Sequence, residues 1–283
     1  MIVIKKLPAE AGQFRDHLPG LSDPLPPGAI ALTAELDGLS VGTALVIAHP
    51  RSGTGSISVL HTPELFRHLG IGSRLLLEAE RQLLDAGCRI CRVTLTLRKD
   101  KAAPELDFLR SRGYANEQLL IRTYTLRAAD LLGSGRLDRL VLPSGTELAP
   151  LLSASPEDRA ELDPLAAQLP PELHPLLEER LLHPEFSTLM KIGGRIAGWI
   201  GIQQLASNLL LFRSMYVRPE HRLHASGMAL FAEVNRRHRL PERFAHQLLG
   251  VPGDNLAMLR LAERTLSPHA SSIKSTVRLE KRL

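Results

Sequence analysis

An internal repeat restricts this chain more than any other feature. The same order of strand, hairpin, strand, helix and strand is readable twice, in near-constant register. Asp37, in a hairpin turn with Gly38, lies 156 residues before Gly193, which opens Gly193-Gly194. Pro63 lies 156 residues before Pro219, and Arg67 lies 155 before Arg222, so a single-residue insertion is expected near Leu65-Phe66. A chain of 283 residues accommodates two ordinary domains. The reading divides it into 1–126, a linker at 127–139 around Gly133-Ser134-Gly135, and 140–283.

Alternation and turn signals give the elements of the first half. Strands are predicted over Met1–Leu7, Ala29–Leu36, Ser40–Ala48, Ser56–Leu60, Ile90–Leu97 and Gln118–Leu126. A helical stretch is expected near Glu10–Leu18, followed by a Pro-rich loop at Asp23–Pro27. Ile71, Leu75, Leu76, Ala79, Leu83 and Leu84 recur at helical spacing, with Gly87 as a left-handed stop, and a second helix covers Pro104–Arg112. In the second half, Ser155-Pro156-Glu157-Asp158 reads as an N-cap, a first-position proline and acids in the first turn. Helices are expected over Pro171–Leu182, Gly227–Arg239 and Asn255–Arg264. The strands are Glu147–Leu151, Phe186–Ile192, Arg195–Leu205, Leu209–Val217, Arg243–Val251 and Thr276–Lys281.

Composition removes several classes of function. No apolar run approaches the roughly 18 residues that span a membrane, and the N-terminal apolar stretch is too short for a secretory signal, so a cytoplasmic protein without a membrane partner is expected. The net charge of +5 favours a polyanion, but aromatics are only 4% of the chain and no zinc-finger spacing occurs. A nucleic-acid partner is therefore not expected, and a nucleotide-like ligand accounts for the charge. Cys88 and Cys91 form one Cys-x-x-Cys with no second pair to complete a zinc site. They are expected to be buried packing residues, with no metal. The basic residues Lys274, Arg278, Lys281 and Arg282 are expected on a solvated strand face.

The chemistry-bearing string is Arg67-His68-Leu69-Gly70-Ile71-Gly72-Ser73, between a strand and an amphipathic helix. Amides at a helix start are unpaired and partly positive, glycine lets an anion approach the backbone, and arginine adds charge. This strand–(Arg-x-x-Gly-x-Gly)–helix arrangement resembles the pyrophosphate loop of the GNAT N-acetyltransferase superfamily. Phe108-Leu109-Arg110-Ser111-Arg112-Gly113-Tyr114 resembles the family's later helix ending in Gly-aromatic. In the second half, Met215–Arg222 resembles the fourth strand and its exit turn, and Asp254–Arg264 the helix flanking the cofactor.

The resemblance implies two tandem α/β domains, each a mixed, splayed, mostly antiparallel sheet flanked by helices. It also implies acetyl-CoA as co-substrate and an amine acceptor, either a small molecule or a peptide. The implied cofactor-binding residues are Val59, Leu60, Arg67, His68, Leu69, Gly70, Ile71, Gly72 and Ser73 in the first copy. In the second they are Val217, Arg222, His224, Ala225, Ser226, Gly227 and Asn255. The second copy departs from the pattern, with Ala225 in place of the first glycine, while the first has Ala103 where Asn255 stands. Both copies lack the family's frequent tyrosine acid; Leu109 and Leu261 stand there. His61 ends the first copy's fourth strand and is the candidate base, with Glu64 as a relay through water; a solvated strand end is the competing reading. The rival function is a non-catalytic acyl-CoA-binding or scaffold protein. Oligomeric state stays open.

Overall fold

The structure, a computed structural model, describes residues 1–7, 25–133, 135, 139–170, 173–222 and 226–283. The helix expected near Glu10–Leu18 lies outside them, as do Asp23 and Pro24 of the Pro-rich loop. In chain order the elements are β1 (Ile2–Leu7), β2 (Ala29–Leu36), β3 (Leu39–His49), β4 (Thr54–His61), α1 (Ile71–Asp85), β5 (Ile90–Arg98), α2 (Pro104–Arg110) and β6 (Ala115–Arg127). Then come α3 (Ala128–Gly133), β7 (Thr146–Pro150), α4 (Pro156–Ala166), β8 (Thr188–Ile192), β9 (Arg195–Ala206) and β10 (Leu209–Val217). α5 (Ser226–Arg237), α6 (Leu240–Arg243), β11 (His246–Pro252), α7 (Leu256–Thr265) and β12 (Ala270–Arg282) complete the order.

Contacts divide the chain into two compact units. One holds Met1–Leu97, Lys101–Leu120 and Thr276–Leu283; the other holds Arg98–Asp100 and Ile121–Ser275. The division passes through β6 and β12, so the last residues group with the first unit and residues 121–127 with the second. Strand order in the first unit is β1-β2-β3-β4-β5-β12-β6, and in the second β12-β6-β11-β10-β9-β8-β7. The strands of each unit belong to a 12-stranded mixed sheet. Antiparallel neighbours run β1–β2–β3–β4 and β7–β8–β9–β10, and each then meets a parallel partner, β5 or β11. A parallel pair needs a crossover, which α1 supplies in the first unit and α5 with α6 in the second.

The local signals explain much of this. Asp37 and Gly38 both take positive φ (51° and 83°), the pair of left-handed residues that a tight hairpin requires. Ser155 accepts the Asp158 amide while the Asp158 carboxylate receives the Ser155 amide, a complete capping box. Helix α1 buries Ile71, Leu75, Leu76, Ala79 and Leu83 against β2, β3 and β4 side chains, each larger one worth about 1.5–3 kcal/mol.

Three expectations need correction. Pro171–Leu182 is not an α-helix: residues 175–178 form turns and Glu179–Leu181 a single 3-10 turn. Pro175 lacks an amide donor and forces His174 away from the helical region, which the apolar spacing conceals. The stretch expected to be a linker contains α3. Lys281 does not stand on a solvated face; its ammonium pairs with both oxygens of the buried Glu80 at 2.9 and 2.7 Å and lies over the Tyr114 ring.

The Tyr114 hydroxyl also reaches Glu80, at 3.0 Å, and the Cys91 sulfur at 3.2 Å. Both cysteines are free and fully buried, Cys88 just before β5 rather than in it, its thiol donating to the Thr54 carbonyl at 3.1 Å. Burial pushes the Cys91 thiol up to about 11 and raises Tyr114 as well, so neither ionises near neutrality. Among the described residues, no helix is long and apolar enough to cross a membrane, and no cluster of three or more His, Cys, Asp or Glu could hold a metal ion.

Candidate functional site

In the first unit, β4 and β5 pair in parallel over only four positions, from Thr54 with Ile90 to Ile57 with Val93. Beyond these, β4 continues to His61 and β5 to Arg98 without pairing to each other, leaving a gap. The cause is visible in the register. Between Leu45 and Val46 the β3–β4 ladder skips Ser58, a bulge that bends β4 as it leaves β5. Leu60, Leu95 and Leu97 are half-buried on the side of this gap that faces the α1 core.

The chain then turns through a 3-10 turn at Glu64–Phe66 and enters α1. His68 and Gly70 take positive φ (65° and 78°), and Gly70 is the N-cap of α1 with no side-chain cap. The amides of Ile71, Gly72 and Ser73 are the first of α1, where no preceding turn supplies acceptors. A β-carbon at Gly70 would meet no atom within 4 Å, and one at Gly72 would meet only Thr62 Oγ1 at 3.7 Å and Phe108 at 3.9 Å. The backbone is therefore open to an anion. Arg67 is exposed; its Nε donates to the Thr62 carbonyl at 3.3 Å, fixing the stem of the side chain. These residues fit a diphosphate: partly positive amides, a left-handed glycine and an anchored cation.

The second unit repeats the scaffold. β10 and β11 also pair over four positions, Leu209 with His246 to Phe212 with Leu249, and then diverge. The β9–β10 ladder skips Arg213, 155 residues after Ser58. An earlier bulge at Val41 in β3 recurs at Ala197 in β9, 156 residues later. Arg222 Nε donates to the Val217 carbonyl at 2.8 Å, the counterpart of Arg67 with Thr62. The 3-10 turns start at Glu64 and Pro219, so Pro219 matches Glu64 rather than Pro63. The single-residue change therefore lies between β3 and β4, not near Leu65-Phe66.

The first unit thus brings Val59, Leu60, His61, Glu64 and the string Arg67–Ser73 to one end of β4 and one end of α1. His61 and Glu64 are both exposed. In the second unit, Val217, Arg222 and Gly227 occupy the matching places; Leu223, His224 and Ala225 lie outside the described residues, and Ser226 opens α5. Asn255 caps α7, its side-chain oxygen accepting the Met258 amide at 3.1 Å. Leu109 is buried in the core at the place of the missing tyrosine. Two residues escaped the sequence reading. Arg112, stacked over Phe108, donates to Ser73 Oγ at 2.8 Å and so adds a cation at the first turn of α1. Thr43 pairs with His61 at the same end of β4. Neither has a local signal, because each is placed by tertiary contact.

Comparison with known proteins agrees with this geometry. A profile of the acetyltransferase (GNAT) family matches residues 6–114. The chain is similar to that family over these residues, which make up less than half of its length. Over 100% of its length it resembles a tandem GNAT protein from the clavulanic acid biosynthesis pathway, with 16% identity, 98% of that chain covered and a TM-score of 0.61. It resembles a GCN5-related N-acetyltransferase from Sphaerobacter thermophilus at 20% identity, covering 96% of this chain and 85% of that one, with a TM-score of 0.59. A protein of unknown function from Enterococcus faecalis V583, described as a probable N-acyltransferase, matches at 12% identity with a TM-score of 0.50, covering 100% and 73%. At these identities the likeness shows the fold alone, over the whole chain. No curated protein matches the sequence.

Proposed function

We propose that the chain is an acetyl-CoA-dependent N-acetyltransferase that binds its acyl donor in the first unit. The observation that carries this reading is the left-handed, uncapped Gly70 at the start of α1, beside a β4 that has parted from β5. The amides of Ile71, Gly72 and Ser73, with Arg67 and Arg112, would hold the pyrophosphate, and Leu60, Leu95 and Leu97 would line the pantetheine path. Acetyl-CoA supplies an activated thioester.

The chain's own residues then have four tasks. The edge of β4 that β5 no longer covers, at Val59 and Leu60, orients the carbonyl and donates one backbone N–H to its oxygen as charge develops. His61 takes the proton of the acceptor amine, or Glu64 does so through water. The amine nitrogen forms the new C–N bond, the C–S bond breaks, and the sulfur leaves as thiolate. With Leu109 buried in the helix where a tyrosine acid is often found, the thiolate takes its proton from water. The second unit, whose loop departs from the glycine pattern, serves as the weaker or non-binding copy.

Calorimetric titration with acetyl-CoA, followed by a screen of amines for release of free thiol, tests this. One tight site and amine-dependent release are expected. Tight binding with no release to any amine supports the rival acyl-CoA-binding protein, and no binding removes both readings.

A further inference from the structure

In the first unit, the face of the sheet turned away from α1 carries a polar row whose chemistry the acyl-donor site does not use. Along β3, Ala44, Val46 and Ala48 join the core beneath α1, whereas Leu45 joins a separate apolar cluster with Ala31 and Val59. Thr43 alternates with Leu45 and shares its face. The ladder sets Thr43 between Thr33 of β2 and His61 of β4. Thr33 is satisfied, its hydroxyl 2.9 Å from Ser40 Oγ. Thr43 is not: it is only 1% exposed, yet its hydroxyl has no hydrogen-bond partner among the described residues. A buried hydroxyl without a partner is a cost that a valine of the same shape avoids. His61, directly across the ladder, is exposed.

The second unit shows what the same row looks like when it is closed. The counterparts of Thr33, Thr43 and His61 are Leu189, Trp199 and Tyr216, again paired side by side. Trp199 and Tyr216 stack at 4.6 Å, all three are buried in one cluster, and the indole N–H donates to the Leu173 carbonyl at 3.0 Å. The one indole donor of that row is already used, and the stacked rings fill the space beside it.

We infer that Thr43 binds the acceptor amine in the first unit, its hydroxyl accepting an N–H beside His61, and that the filled Trp199–Tyr216 row leaves the second unit without an acceptor site. This rests on the transferase reading proposed above. An amine seated there lies on one face of the sheet at the end of β4, where the parted strand presents Val59 and Leu60 to the thioester. Thr43 then holds the nitrogen and His61 receives its proton.

The probe is methylamine, whose only polar group is the reacting nitrogen, with thiol release followed at saturating acetyl-CoA. Thr43→Val keeps the shape and removes the hydroxyl. It is expected to raise the methylamine KM at least about tenfold, the effect of one lost hydrogen bond to a reacting group. Its acetyl-CoA Kd should stay within about twofold of the parent and its melting temperature should not fall. Thr43→Ser, which keeps the hydroxyl, should restore a KM near that of the parent. A parental KM in Thr43→Val overturns the inference and leaves the transferase reading standing. Wild-type protein that binds acetyl-CoA but releases no thiol with methylamine overturns the transferase reading and this inference with it.

Discussion

The two units share a backbone and differ in what they hang on it. Each has a bulge in the third strand of its meander, a second bulge in the fourth, a four-position parallel pairing and an arginine whose Nε clips the exit turn. Gly42 and Gly198 even play one part: a β-carbon there would press on the carbonyl of His61 at 3.1 Å or of Tyr216 at 2.4 Å. Yet the row running past that carbonyl is Thr33–Thr43–His61 in one unit and Leu189–Trp199–Tyr216 in the other. The lesson is that the gap between strands follows from bulges and close backbone approach, whereas the polarity of the sheet face beside it depends on three side chains. A copy keeps its architecture while the row beside the gap changes from polar to aromatic.

The comparison breaks most visibly at Trp199. Trp199→Ala should destabilise the second unit by about 3–5 kcal/mol, because it empties a fully buried site and orphans the Leu173 carbonyl. Thr43→Ala in the first unit should cost about 1 kcal/mol or less. Urea unfolding measures both, and equal costs would mean the two rows are packed alike. Gly70→Val should weaken acetyl-CoA binding at least about tenfold, or about 1.4 kcal/mol, since a β-branched residue resists a φ of 78°. Gly227→Val should change it by less than about twofold, and the reverse ranking in calorimetry would exchange the roles of the units. Asn255→Ala should lower stability by about 1 kcal/mol through loss of the α7 cap while leaving acetyl-CoA affinity unchanged. A drop in affinity without a drop in stability would return Asn255 to the cofactor.

The smallest effect concerns Asp158, whose carboxyl is held below its ordinary value of 3.8 by the Lys191 ammonium and by its place in the α4 cap. A depressed carboxylate contributes stability that is fully present above the ordinary value and is lost as pH falls through the lowered one. Thermal melts of Asp158→Asn should therefore lie slightly below wild type at pH 7 and converge with it as pH falls through the lowered value. A gap that persists at low pH would remove the charge from the explanation.

What was legible in the sequence was what depends on neighbours in the chain. Asp37-Gly38, Gly87, Gly193-Gly194 and the Ser155 cap could be read because turn and cap chemistry is local. The Arg67–Ser73 string gave the position of the loop for the same reason. The pairing of Lys281 with Glu80 joins residues 201 apart and leaves no trace in spacing. Thr43 escaped because its neighbours are apolar, so the strand reads as plain core. Pro171–Leu182 misleads because its apolar spacing conceals the effect of Pro175 on the backbone before it.

One feature of the fold bears on how the protein is made. Residues 276–283 group with the first unit, where Glu280 reaches Arg92 and Lys281 reaches Glu80 across 188 and 201 residues. During synthesis, α1 and β1–β5 are therefore complete long before the strand that fills the place beside β5 has emerged. Until then that strand edge waits unpaired and the Glu80 carboxylate waits without Lys281, exposed to other chains. Pairings at such separations form slowly because a large loop must close first. The first unit, which leaves the ribosome before the second, thus finishes folding only after it, and slowing translation over the second half lengthens the interval in which its edge stays unpaired.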